Sequence, residues 1–176
     1  NISGASRLTV NATPGTLTLT GTNTYSGGTT VSGGRLIAGI ASTGSAGSVT
    51  NGAFGTNTLT VSSGYTVDLN GFSVLNALNL SGSGIDGNGA LINTSSTAST
   101  AAGAVTLAAA TTLGGSGNYT LSGAISGAYA LTKVGNGVVT LSGATNASTT
   151  LTISGGQIQV GSGSTSGVLG SGAVTN

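Results

Sequence analysis

The 176-residue sequence predicts an all-β chain wound as a parallel β-helix, or β-solenoid, of roughly eight coils of about 20 residues each. Three observations point there: apolar residues alternate with Thr, Ser, Asn or Gln in short runs, helix formers are nearly missing, and a long segment recurs at a constant offset.

The alternation is clearest in Thr16-Leu17-Thr18-Leu19-Thr20, Thr58-Leu59-Thr60-Val61, Tyr65-Thr66-Val67-Asp68-Leu69, Val139-Thr140-Leu141 and Gln157-Ile158-Gln159-Val160. Period two is the strand signature, because successive side chains point to opposite faces. Glu and Met are absent, Lys occurs once, and the Ala-rich stretch around Ala108–Ala110 is bracketed by Thr and Gly pairs, so no helix of ordinary length is expected. Gly27-Gly28, Gly33-Gly34, Asn51-Gly52, Asn70-Gly71, Asp86-Gly87-Asn88-Gly89 and Asn136-Gly137 accept positive φ at low cost and mark the corners.

Gly15-Thr-Leu-Thr-Leu-Thr-Gly21 aligns on Gly137-Val-Val-Thr-Leu-Ser-Gly143, and Val31-Ser32-Gly33-Gly34 on Ile153-Ser154-Gly155-Gly156, both 122 positions later. With small indels the match covers residues 2–51 and 125–176, separated by an intervening block, 52–124. Residues 1–176 thus read as one solenoid segment cut from a longer repetitive array. A finer echo, Leu121-Ser-Gly-Ala124 and Leu141-Ser-Gly-Ala144, has the spacing of a single coil.

Composition fits such stacking. The chain carries Arg7, Arg35 and Lys133 against Asp68 and Asp86, a net charge of +1. Like charges stacked at strand spacing repel, whereas Thr, Ser and Asn ladders do not. Leu, Ile, Val and Phe together supply enough apolar surface for an ordered core. Zero Cys and zero His remove thiolate and imidazole chemistry, so no catalytic residue, metal ligand or cofactor site is expected and the chain is not expected to be an enzyme. Without a basic cluster it is not expected to bind nucleic acid, and no apolar run is long enough for a spanning helix, so no membrane insertion of this segment is expected. Any export signal is expected to lie elsewhere.

Residues 15–39, Gly-Thr-Leu-Thr-Leu-Thr-Gly-Thr-Asn-Thr-Tyr-Ser-Gly-Gly-Thr-Thr-Val-Ser-Gly-Gly-Arg-Leu-Ile-Ala-Gly, resemble the autotransporter-associated β-strand repeat, also called the passenger-associated transport repeat. Residues 131–146 with 155–161 resemble it again, departing where Ala147-Ser-Thr-Thr150 stands for Tyr-Ser/Thr-Gly-Gly. The resemblance implies a right-handed parallel β-helix in a large exported or surface-displayed bacterial passenger, in which the repeat goes with secretion and stalk formation.

The remaining candidate residues also have plainer roles. Asp68 and Asp86, 18 residues apart, could stack as a carboxylate pair, but each adjoins turn residues and the turn role is expected. Asp86 and Asn88 offer too few oxygens for a calcium site. Tyr25 and Tyr129 are the candidate surface contacts if the chain is an adhesin for carbohydrate or a host surface. Thr16, Thr18 and Thr20 resemble an ice-binding array, although Val138 and Ser142 replace Thr16 and Thr20 in the second copy. The expected role is structural, a stalk or extracellular filament whose partners are adjoining segments or other copies, since open terminal coils invite pairing.

Overall fold

The computed structural model describes residues 1–163 and 166–176. Ser164 and Thr165, inside the 125–176 repeat copy, lie outside the described residues. Among the described residues the single helical element is one 3-10 turn, Ile85–Gly87, and every other regular element is a β-strand. The chain is a β-solenoid of about eight coils whose strands stack in parallel register.

Each coil has three sides. On side one the inward residues Leu8, Thr29, Leu59, Leu78, Val105 and Ile125 stack directly on one another. Side two stacks Leu17, Leu36, Val67, Leu91, Leu113, Lys133 and Ile153. Side three stacks Ser99, Tyr119, Val139 and Ile158. Strands Leu8–Leu19, Thr29–Ala38 and Val105–Gly115 run through the corner between sides one and two, so these sides form one 11-stranded sheet and side three a 4-stranded sheet.

The alternation seen in the sequence is what makes the columns. With a period of two, inward aliphatics alternate with outward residues, many of them hydroxyls, and like positions then meet above and below. The outward ladders are Thr9, Thr30, Thr60, Asn79, Thr106 and Ser126 on side one, Thr112, Thr132, Thr152 and Thr175 on side two, and Thr100, Thr120, Thr140 and Gln159 on side three. Inside, one continuous apolar cluster runs from Val10 to Leu151. Each fully buried Leu or Val in it contributes about 1.5–3 kcal/mol relative to exposure.

Coil length varies about the expected 20 residues. Side-one partners are 21, 30, 19, 27, 20 and 21 positions apart along Leu8, Thr29, Leu59, Leu78, Val105, Ile125 and Asn146. The longest coil carries the antiparallel hairpin of Thr43–Ser45 with Ser48–Asn51, and the 27-residue coil carries the turn around Ile85–Gly87. Both insertions project outward and leave the inward columns in register.

The two repeat copies occupy different sides. In the first, residues 8–10 and 29–31 lie on side one and 16–19 and 35–38 on side two. Their counterparts 131–133 and 151–153 lie on side two, and 138–141 and 157–160 on side three. The 122-residue offset is therefore five coils plus one side. The finer echo is one coil: Leu121 stacks on Leu141, and a Cβ on Gly143 would lie 2.2 Å from the Gly123 carbonyl oxygen. Gly123 makes the same close approach to the Gly103 oxygen, at 2.1 Å. This corner packs backbone on backbone and has room only for glycine.

Candidate functional site

The most built-up surface of the solenoid is on side two. There the chain takes thirteen positions to pass from Leu78 to Leu91, against seven or eight for Thr29 to Leu36 and Leu59 to Val67. The surplus forms a turn, 84–89, that Gly84 (φ 73°), Asp86 (φ 51°) and Gly89 (φ 122°) allow by adopting left-handed backbone. The turn lies over the outside of side two: Thr66 Oγ1 donates to the Gly89 oxygen at 2.9 Å and accepts from Ile85 N at 3.0 Å. On its far edge the Asn88 carbonyl packs against Gly114, where a Cβ would lie only 1.9 Å away.

Beside this turn stands a polar network spanning three coils. Arg35 Nη2 donates to Asp68 Oδ2 at 2.5 Å, and Thr94 Oγ1 donates to the same oxygen at 2.6 Å. Asp68 Oδ1 accepts from Asn70 N and Thr94 N at 2.9 and 3.1 Å, so both carboxylate oxygens are saturated. The Asp68 side chain is 2 % exposed and that of Arg35 28 %. One step along, Asn93 is fully buried and makes four bonds: its Oδ1 accepts from Gly71 N and Ser95 N, and its Nδ2 donates to the Thr97 and Asn118 oxygens.

Between the turn and the next corner runs a groove of about 420 Å³. Arg35 closes one end, Ile92 and Val134 form apolar floor, Gly115 leaves it open, and Asn88, Thr94, Ser116 and Asn136 rim it. Its walls come from the fourth to sixth members of the side-two column, about 10 Å at about 4.8 Å per coil, with the Arg35 guanidinium reaching up to Thr94, where Nη2 donates to Oγ1 at 3.3 Å.

The residues singled out from sequence are placed as follows. Tyr25, expected as a surface contact, is instead buried at 1 % exposure, because its ring fills the corner and its hydroxyl lies 2.5 Å from Thr29 Oγ1. Thr29 Oγ1 in turn donates to the Phe54 oxygen at 3.0 Å, so the phenol is the donor to Thr29. Tyr129 is 46 % exposed. Asp68 and Asp86 do not stack. Asp68 pairs in register with Ile92, whereas Asp86 is exposed on the turn. Thr16 and Thr18 stack on Arg35 and Ile37, so the Thr16/Thr18/Thr20 array stops at the first coil, while the ladders that do persist lie elsewhere.

Lys133 was visible in the sequence only as a charge. In the fold it takes an inward position between Leu113 and Ile153, fully buried, and its ammonium donates to the carbonyls of Val134, Gly135 and Gly155 at 2.7, 2.9 and 3.2 Å. Burial pushes its pKa down. Burial likewise raises the Tyr25 and Tyr119 phenols, partly offset at Tyr25 by the Thr29 bond and at Tyr119 by a backbone bond.

Stacked parallel coils with in-register aliphatic columns and outward hydroxyl ladders define a β-solenoid repeat protein. The passenger-associated-transport-repeat family model matches residues 14–38 and 131–160, so two stretches of the chain are similar to that repeat. The first match runs from 16–19 on side two round to 35–38 stacked on it, and the second holds two stacked pairs, 131–133 on 151–153 and 138–141 on 157–160. No curated protein and no solved structure matches the chain.

Proposed function

We propose that this chain is a structural segment of a large exported bacterial surface protein, serving as a stiff spacer in a stalk or filament. The observation that carries the reading is the unbroken parallel register on side two from Leu17 to Ile153, with Thr152 passing it on to Thr175. Every coil is held by backbone ladders and by burial against its neighbours, so stability accumulates coil by coil and no one residue carries it. The passenger-transport repeats support export and surface display.

No catalytic role is proposed, because one carboxylate is saturated in an ion pair and the other stands alone on a turn. Negative-stain electron microscopy of exported material containing this chain tests the spacer reading. Thin straight rods are expected; compact globules with no elongated part would overturn it.

A further inference from the structure

We propose that the side-two groove binds a neutral, extended saccharide chain lying along the solenoid axis. The proposal goes beyond the spacer role and does not depend on it. Four observations carry it. The groove runs across the successive coils of Ile92, Gly115 and Val134, so an extended polymer lying along the axis would touch each in turn. It combines apolar floor at Ile92 and Val134 with a rim of amides and hydroxyls, the pairing that receives the apolar face and the hydroxyls of a sugar.

The rim amides are also free. The side-chain amides of Asn88 and Asn136 are exposed and have no hydrogen-bond partner among the described residues, in contrast to the tied amides of Asn23, Asn76 and Asn93. Finally, stacking does not need the ion pair that builds the groove's end. Among the described residues no other coil step uses one, Arg35 Nε is left buried without an acceptor, and yet the pair fixes the guanidinium at the groove. Buried pairs of this kind are weak devices for stability, which leaves positioning as their use.

The chemistry also excludes the nearest rival. An extended peptide would be captured by an open strand edge. Within the groove, backbone hydrogen bonds already run from coil to coil, so a ligand meets mainly side chains. Asp68 balances Arg35 and no other charged residue lines the groove, which selects a neutral glycan over an acidic one.

Isothermal titration with short soluble oligosaccharides of glucose, xylose and N-acetylglucosamine tests it, with a uronic-acid series as the charged comparison. At least one neutral series is expected to bind. The N88A/N136A double variant is expected to weaken it by about tenfold or more, and S116W, which fills the groove from an exposed position, to abolish it. Thermal unfolding of both variants should match the parent, and Y129A should bind as the parent does. Absence of binding to every neutral series, tighter binding of the uronic-acid series, binding unchanged in S116W, or loss of binding in Y129A alone would each overturn the proposal.

Discussion

Lys133 stacks directly on Leu113, a fully buried ammonium in a column otherwise made of Leu, Val and Ile. It is tolerated because its three protons meet three backbone carbonyls at the corner that follows, those of Val134, Gly135 and Gly155. The charge has no carboxylate partner among the described residues. It is therefore a site where stability and pH are linked.

Because folding lowers the Lys133 pKa, the unfolded chain binds the proton more tightly than the folded one. Stability should rise with pH from the lowered value up to the ordinary lysine value of 10.5. The raised phenols of Tyr25 and Tyr119 act oppositely: their contribution is complete below pH 10.0 and is lost as pH climbs beyond it. Urea unfolding across alkaline pH should show a rise followed by a fall. In K133M the rise should disappear, and in Y119F the fall should shrink; an unchanged profile in both would contradict the linkage.

Replacing Asp68 with Ala strands a mostly buried guanidinium and three other donors, and should cost about 3–5 kcal/mol. The R35M/D68L double variant should cost less than D68A alone. A double-mutant cycle by chemical denaturation checks both statements.

Asn93 holds three coils through four bonds, so N93A leaves two N–H groups and two carbonyls to find new partners. The expected loss is about 2–4 kcal/mol. N93D should be at least as costly, because a carboxylate would face the Thr97 and Asn118 carbonyls. Thermal unfolding of the two variants is the measurement.

Tyr25 and Thr29 are replaced together in the second repeat copy, by Ala147 and Leu151, 122 positions on. The physical reason is that Thr29 takes an inward column position, where its hydroxyl is satisfied only by Tyr25 and Phe54. Y25F alone should cost about 1 kcal/mol. Adding T29V should cost less than the sum of the two single changes, as measured by denaturation of all three variants.

At Gly123 an added methyl would meet the Gly103 carbonyl oxygen at 2.1 Å. G123A should therefore push apart two coils and cost about 2 kcal/mol or more, whereas the same change at Gly64, which has nothing nearby and only its φ of 87° to oppose it, should cost less. Hydrogen exchange at Thr120 and Leu121 is the local readout.

Much of this architecture is legible in the residues. Alternation in 16–20, 58–61 and 139–141 marks inward and outward positions, and the Leu-Ser-Gly-Ala echo at 121 and 141 is one coil. What the residues do not reveal is phase, meaning which residue lies on which. Phase depends on how many positions each corner and insertion consumes, and the hairpin at 43–51 and the turn at 84–89 change that count without disturbing the alternation. For that reason the pairing of Arg35 with Asp68, 33 positions away, and the inward aim of Lys133 emerge only in three dimensions. Tyr25 misleads as a surface contact for a related cause: only in three dimensions does its corner fold inward and bury the ring.

The central claim is the register of the stacked coils, and the chain's lack of cysteine makes it directly measurable. Spin labels on single cysteines at Thr9 and, in turn, at Thr30, Thr60, Asn79, Thr106 and Ser126 should give distances by electron-electron resonance that grow linearly, by about 4.8 Å per partner. They should do so although the sequence intervals range from 19 to 30. Distances that instead follow sequence separation, or that fail to increase from Thr60 to Ser126, would contradict the solenoid.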